Sequence, residues 1–303
     1  MRLEAPVGVP DQFRDAVVLA RPDLGDAAFS VAGRGWHSLA VDVGGRLIAK
    51  FPEGREAEAA LRREARILAA VRPHLGMPVP DMTLFEGPPL FSLHPLLAGD
   101  VLERNAYRRF ADAERDRLAQ DLAGFFADLH MMDPAAAEAA GAEAAGIWDT
   151  DEATLAPIWQ TLPSDAKAQA MNAVAAYRDL APDPYGAVYG FFDAHGWNMA
   201  FDQGAGRLNG IFDFADSGFG PVHREFVPVS FIDPDLTVRA MRAYGEITGR
   251  RIDANRVHLL TSAMLASELA GAMEIGINEA AVRQSLVDWI TGRDAFVSGA
   301  ERG

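Results

Sequence analysis

Short runs of apolar and polar residues in the first hundred positions predict β-strands. Three of these runs lie before residue 52: AFSVAG (28–33), HSLAVDV (37–43) and RLIAKF (46–51). The pair Gly44-Gly45 predicts a tight turn between the last two. Apolar residues then recur at helical spacing over 56–71, and MTLFE and PLFSL predict two further strands. This order predicts a small antiparallel sheet accompanied by one helix.

Downstream of these strands, the apolar positions follow the period of amphipathic helices. Four apolar residues of DAERDRLAQDLAGFFADLHMM fall on one helical face: Leu118, Leu122, Phe125 and Leu129. The same spacing predicts later helices at about 164–180, 234–248, 254–275 and 278–292. Strand-like runs interrupt the helices only between 187 and 214, and the alanine-rich segment 134–146 predicts a solvated, weakly helical connector without a function of its own.

Together these patterns predict an α+β chain of two lobes. We expect an N-terminal sheet lobe over 1–93, a hinge over 94–99, and a large, mainly helical C-terminal lobe over 100–303. A short crossing connection of this kind leaves a cleft between two bodies. Clefts at such junctions are where ligands usually bind.

Composition narrows the chemistry. The 303 residues are 49% hydrophobic and 23% charged, which is ordinary for a globular protein, and they include no cysteine. Disulfides, cysteine–zinc sites and thiolate catalysis are therefore excluded. The N-terminus lacks the apolar core of a signal peptide, and no apolar run is long enough to span a membrane. We expect a cytoplasmic protein without a membrane partner.

The formal net charge is −15, from 28 basic and 43 acidic residues. An acidic surface repels the phosphates of nucleic acids, so a nucleic-acid partner is not expected. The charge would favour a cationic small molecule, although acidity that serves only solubility is an equally simple explanation. The sequence leaves the oligomeric state open.

The segment FFDAHGWNMAFD (191–202) carries the most specific chemical signal. MAFD and LNGIF flank the turn-rich QGAGR, so they should pair as an antiparallel hairpin. Asn198 precedes the first strand and Asp213 follows the second, so both side chains should emerge at the same end of the hairpin. Asp193, on the loop that enters the hairpin, should lie over the same place.

One amide oxygen and two carboxylates that converge suit Mg²⁺, which prefers oxygen ligands and is usually shared with phosphates. Asn198 and Asp213 would hold the metal, and Asp193 would accept a proton from an attacking hydroxyl. The alternative for each residue alone is local: Asp193 caps a turn, Asn198 begins a strand and Asp213 ends one. Their spacing, which is also that of protein kinases, favours the functional interpretation.

A lysine inside an apolar strand and a glutamate on a helix stripe supply a second signal. Lys50 lies within RLIAKF, and Glu64 lies within the apolar stripe of the 56–71 helix. A buried ion pair between them explains both positions. The simpler alternative is that the carboxylate and the ammonium each reach solvent. Gly33 and Gly35 between the first two strands could bring backbone N–H groups near phosphates, but this signal is weak alone.

These motifs, from GRGWHSLAVDVGGRLIAKFP through FSLHPLLAGDVL and LAGFFADLH to DAHGWN and IFDFADSGFGP, resemble the aminoglycoside phosphotransferase family. That family is related to choline kinases and has the protein-kinase-like fold. The resemblance extends to at least Phe226. The chain passes from DSGFGP into helix without the long activation segment of protein kinases, which disfavours a protein acceptor.

The resemblance implies a role for individual residues. Lys50 would contact the nucleotide phosphates, and Glu64 would orient the lysine. Asp193 would be the catalytic base, and Asn198 and Asp213 would be the metal ligands. Near the hinge, Leu93, His94 and Leu96 would lie alongside the nucleotide base. Glu225 stands where the family often has an aspartate that braces the catalytic loop, and Asp216 would either assist the metal or cap a turn.

One departure concerns the two residues before Asp193. The family usually has His-Gly there, whereas this chain has Phe191-Phe192. A phenylalanine in place of the glycine is expected to alter the path of the loop. We interpret His195 as a residue that shapes this loop. Glu268 and Glu274 either face a cationic acceptor or, as we favour, lie on a solvated face of their helix.

We therefore expect a phosphotransferase that uses Mg²⁺ and moves the terminal phosphate of ATP or GTP to a hydroxyl of a small molecule. A cationic, aminoglycoside-like acceptor is the first candidate, followed by an amino alcohol or a sugar. The alternative is a kinase-like protein that binds nucleotide with weak or no catalysis, which the Phe191-Phe192 pair motivates.

Overall fold

A computed structural model describes residues 8–35 and 38–302. The N-terminal part is built on a five-stranded antiparallel sheet of order β1-β2-β3-β5-β4. The strands are β1 (Phe29–Arg34), β2 (Ser38–Val43), β3 (Leu47–Pro52), β4 (Thr83–Phe85) and β5 (Phe91–Pro95). Gly44 and Gly45 both have positive φ and close the β2–β3 turn as predicted. The predicted start of the second strand at His37 lies outside the described residues.

Alternate residues of the sheet point to a small core. Val41 and Phe51 are fully buried on this face, which is covered by helix α1 (Asp11–Ala20). The ring of Phe13 on α1 stacks on Phe51 at 4.0 Å between centroids. The expectation of a single helix in this lobe was therefore wrong: α1 is a second one, and it closes the face that the sheet cannot bury alone.

Helix α2 (Arg55–Val71) packs beside the sheet, as the apolar spacing predicted. Its buried stripe includes Leu61, Ile67 and Leu68. Glu64 lies within that stripe and is only 2% exposed. The stripe therefore carries a carboxylate into the interior, where it requires a partner.

The remainder of the described chain is mainly helical. Its helices are α3 (Arg104–Tyr107), α4 (Asp112–Met131), α5 (Pro134–Ala139), α6 (Glu152–Trp159), α7 (Ser164–Arg178), α8 (Pro234–Thr248), α9 (Ala254–Ile275), α10 (Glu279–Thr291) and α11 (Arg293–Glu301). The predicted helices at 234–248 and 254–275 are confirmed, whereas α6 and α11 were not predicted. Helix α4 buries its predicted apolar face in the main core and packs on α8. No helix in the described part of the chain is long and apolar enough to cross a membrane.

Two short two-stranded sheets interrupt the helices. Strands β7 (Met199–Asp202) and β8 (Arg207–Ile211) form the predicted antiparallel hairpin, with Met199 opposite Ile211. Strand β6 (Ala187–Gly190) pairs with β9 (Gly218–Pro221). Strand β6 precedes the Asp193 loop and β9 follows Asp213. The two sheets therefore hold these two segments next to each other.

The alanine-rich connector is more ordered than expected. After α5, residues 143–145 run beside β9: Phe219 N–H donates to the Glu143 carbonyl at 2.8 Å, and Ala145 N–H donates to the Phe219 carbonyl at 2.9 Å. Arg63 on α2 pairs with Glu143 at 3.0 Å, and Arg66 donates to the Ala140 carbonyl. The connector therefore joins α2 to the helical lobe.

Candidate active site

The loop between β6 and β7 brings Asp193 and Asn198 into direct contact. The Asn198 side-chain N–H₂ donates to Asp193 Oδ2 at 2.6 Å and to the Asp193 carbonyl at 3.1 Å. The Asn198 carbonyl accepts from Phe212 N–H at 3.0 Å. That bond extends the hairpin to the residue before Asp213, so the predicted placement of the three side chains at one hairpin end is observed.

Asp213 lies at the junction between this hairpin and the sheet lobe. Its φ of 68° is left-handed, and its Oδ1 contacts the Lys50 ammonium at 2.9 Å. The same ammonium contacts Glu64 Oε2 at 3.0 Å, so the predicted Lys50–Glu64 pair is present. Glu64 Oε1 in turn accepts from Phe214 N–H at 3.1 Å. One network thus links β3, α2 and the Asp213 turn.

The electrostatics of the network keep Lys50 charged. Burial alone would lower the pKa of Lys50, but the carboxylates of Glu64 and Asp213 raise it above its ordinary value. The ammonium therefore remains a cation at physiological pH.

The carboxyl of Asp193 binds its proton more tightly than a free aspartate does. Burial, followed by the negative charges of Asp216 and Asp213, raises the pKa of Asp193 to about 8, against the opposing effect of the Asn198 hydrogen bond. The charge of Glu268 on α9 acts in the same direction. Glu268 is exposed on α9, as the favoured expectation of a solvated helix face requires, and its charge still acts on Asp193.

His195 lies close to Asp193 but does not have the properties of an acid. Its Nε2 is 3.3 Å from Asp193 Oδ1, and burial lowers the pKa of the ring to about 4. The imidazole is therefore neutral at pH 7. Its ring also meets Trp197 edge to face at 5.3 Å between centroids, which fits the expected role in shaping the loop.

Glu225 holds the start of the loop from beneath. Its fully buried carboxylate accepts from Phe191 N–H at 3.1 Å, from Phe192 N–H at 2.8 Å and from His130 Nε2 at 3.0 Å. His130 Nδ1 lies 2.8 Å from the Tyr244 hydroxyl. Sequence reasoning anticipated Glu225 but gave His130 no role, because this contact joins residues that are 95 positions apart.

The two phenylalanines before Asp193 occupy different environments. Phe191 is fully buried and packs on Phe214 at 4.9 Å between ring centroids. Phe192 has a φ of 59°, a conformation that favours glycine. Phe192 thus adopts a φ that glycine reaches without strain, and the loop brings Asp193 onto Asn198. The expected change in the path of the loop stays a prediction.

The predicted nucleotide-side residues lie around the edge of the sheet. Leu93 points into the small core beneath α1 and lies in β5, opposite Ala49 of β3 and Thr83 of β4. His94 is buried with Nδ1 against the Pro95 carbonyl, and Leu96 N–H donates to the Arg46 carbonyl at 2.9 Å. Gly33 lies near the end of β1. Between β1 and β2, the Gly35 N–H donates to the Ser38 carbonyl at 2.9 Å.

This chain is similar to known phosphotransferases in sequence and in fold. The model of the phosphotransferase enzyme family, APH, matches residues 29–258. The GDP complex of aminoglycoside 2′-phosphotransferase-IIIa is similar over 96% of this chain and 98% of its own, with 16% identity and a TM-score of 0.72. The macrolide 2′-phosphotransferase MphH from Brachybacterium faecium is similar over 93% and 98%, with 19% identity and a TM-score of 0.63.

A ternary complex of streptomycin, ATP and APH(2″)-IIa is similar over 94% of this chain and 99% of its own, with 15% identity and a TM-score of 0.65. A sequence comparison with curated proteins gives no match. The structural similarity confirms the predicted two-lobed, kinase-like α+β fold. Because the family model covers most of the sequence, from the first strand into α9, this chain belongs to the phosphotransferase enzyme family, as its motifs predicted.

Proposed function

We propose that this protein transfers the terminal phosphoryl group of ATP or GTP to a hydroxyl of a small, cationic molecule. The observation that carries the proposal is the meeting of two networks at one hairpin end. Asp193 is bound to Asn198 on one side, and Asp213 is bound to Lys50 on the other. In the proposed reaction Asp193 would act as the base and Lys50 as the cation that binds phosphate, on adjacent elements.

Two oxygen atoms at this end fit a divalent cation. Asn198 uses its N–H₂ on Asp193, which leaves its Oδ1 as an acceptor, and Asp213 contacts Lys50 through Oδ1, which leaves Oδ2. Among residues 8–35 and 38–302, no group of three or more His, Cys, Asp or Glu side chains could hold a metal alone. Asn198 and Asp213 would hold Mg²⁺ with phosphate and water as further ligands, and the ion would neutralise charge on the phosphate oxygens.

Asp193 would accept the proton of the acceptor hydroxyl. A carboxyl with a pKa of about 8 is a stronger base than a free aspartate, so proton transfer from a hydroxyl is less unfavourable. Lys50 would contact the nucleotide phosphates and offset their charge, and Glu64 would keep the ammonium oriented. Residues 93–96 would lie alongside the nucleotide base.

The acidic surroundings support a cationic acceptor. Asp193, Asp216 and Glu268 interact electrostatically, and burial raises the pKa of both Asp216 and Glu268. A bound cation would relieve this repulsion. The similar enzymes named above act on aminoglycosides or macrolides, so both classes belong in a first acceptor screen.

The test is product formation with Mg²⁺ and either ATP or GTP across aminoglycosides, macrolides, choline-like amines and sugars. We expect one class to gain a phosphoryl group by mass spectrometry. Asp193→Ala should abolish the product yet keep the rise in melting temperature that Mg²⁺–nucleotide causes. Glu274→Gln, an exposed change on α9, is the matched control. Nucleotide binding without product from any acceptor would instead support the nucleotide-binding protein.

A further inference from the structure

Phe192 adopts a backbone conformation that its side chain disfavours. Its φ of 59° lies in the left-handed region, immediately before Asp193. Residues remain in such conformations only where the surrounding structure holds them. Glu225 fixes the Phe192 N–H, but this bond leaves the ring free to choose its position.

The ring rests on two glycines of the β6–β9 sheet. A Cβ at Gly190 would come within 2.6 Å of Phe192 Cζ, and a Cβ at Gly220 would come within 2.9 Å of the ring. The ring therefore occupies space that only glycine provides on both strands. Phe192 itself is only 6% exposed, so something must also cover its outer face.

Arg224 lies over that outer face. Its guanidinium carbon is 5.4 Å from the centre of the Phe192 ring and 4.6 Å from that of Trp148. One of its terminal nitrogens donates to the Gly146 carbonyl. In the described part of the chain its Nε is buried without a hydrogen-bond partner, so aromatic contact is a main interaction of this charged plane.

The position of Arg224 in the chain connects the two contacts of Phe192. Arg224 and Glu225 are consecutive in a short 3₁₀ segment, Val222–Phe226. Glu225 holds the backbone of Phe192, and Arg224 packs on its side chain. Trp148, two residues after the connector, packs on Arg224.

We propose that Trp148 and Arg224 are positioning residues that keep Phe192 in its left-handed conformation and thereby fix Asp193 for phosphoryl transfer. They replace, by stacking, what a glycine before the aspartate would achieve without a side chain. The inference rests on the proposed function for its kinetic part, since displacement of a reacting group by about 1 Å can cost up to about a hundredfold in rate.

The experiment compares Trp148→Ala, Trp148→Phe, Arg224→Met and Arg224→Lys with the wild-type chain. We expect Trp148→Ala and Arg224→Met to lower kcat about tenfold while the nucleotide Kd changes less than about twofold. Backbone amides of 187–194 should exchange hydrogen faster in both variants. Trp148→Phe keeps an aromatic face and should stay within about twofold of wild type. Arg14→Met removes an arginine over Phe29 in the other lobe and is the control.

Arg224→Lys separates stacking from charge. The positive charge of Arg224 also lowers the pKa of Asp216, and lysine would retain that effect without the planar contact to two rings. Stacking predicts that Arg224→Lys behaves like Arg224→Met. Wild-type behaviour of Arg224→Lys would overturn the inference, as would unchanged exchange in Trp148→Ala. If the wild-type chain makes no product, the proposed function fails, and the exchange of 187–194 decides the inference alone.

Discussion

Replacing Glu225 by glutamine removes a charge while it keeps the shape of the side chain. The carboxylate accepts three hydrogen bonds, from Phe191 N–H, Phe192 N–H and His130 Nε2. Glutamine offers one acceptor oxygen, which can serve Phe192. Its N–H₂ group would face two donors. His130 can move its proton to Nδ1, toward the Tyr244 hydroxyl, but the Phe191 N–H can only lose its partner.

The magnitude follows from these bonds. A buried N–H without a partner costs about 1–3 kcal/mol, and loss of charge from the remaining bonds adds about 1 kcal/mol. Glu225→Gln should therefore destabilise the fold by about 2–4 kcal/mol. For a chain of this size that corresponds to a fall in Tm of about 3–6 °C. Because the two amides lead directly into Asp193, kcat should fall by about tenfold or more.

The assay is thermal unfolding followed by steady-state phosphoryl transfer at saturating nucleotide. Glu274→Gln, which makes the same chemical change on an exposed part of α9, should leave both values unchanged. A Glu225→Gln protein that melts with the wild type and turns over at the wild-type rate would show that this carboxylate does not hold the loop.

Four further expectations follow from the site and its loop. Lys50→Met leaves the buried Glu64 without its cation and should destabilise the fold by about 3–5 kcal/mol in urea unfolding, whereas Lys50→Met with Glu64→Gln should recover most of that stability but not nucleotide binding. Because burial and then Asp216 raise the pKa of Asp193 to about 8, kcat/KM should rise toward that pH, and Asp216→Asn should move the rise to lower pH. The folded state holds this proton from about pH 4 to 8, so the Asp193 contribution to stability falls as pH rises through that window, and Asp193→Asn should flatten the fall in chemical denaturation. Gly196→Ala would drive a Cβ into a backbone carbonyl of the segment after the hinge, and an unchanged Tm would contradict that packing.

Local patterns predicted the elements that carry the site. The hairpin could be read from the turn residues between β7 and β8, and its geometry placed Asn198 beside the Asp213 end. The Lys50–Glu64 pair followed from two charges in apolar surroundings. Helix α1 was missed although Phe13 and Val17 recur at helical spacing, because proline and charge around it obscured the pattern.

Contacts between distant segments could not be predicted from the sequence. His130 meets Glu225 across 95 positions, and no feature of the α4 sequence distinguishes this histidine from one that packs in a core. Arg224 and Trp148 meet only because the connector runs beside β9. The left-handed Phe192 violates the local preference for glycine, and its support becomes visible only in three dimensions.

The alanine-rich connector makes its contacts largely through main-chain atoms. Carbonyls of Ala140, Glu143 and Gly146, together with the Ala145 N–H, bind α2, β9 and Arg224. Every amino acid carries a carbonyl and all but proline carry an N–H, so single substitutions at the exposed positions of 134–146 should be tolerated, whereas Ala137 and Ala140 are buried in the core. A deletion or an insertion would shift the whole set by one residue and break the junction between the lobes. For this segment, the number of residues constrains the fold more than the identity of its exposed side chains does.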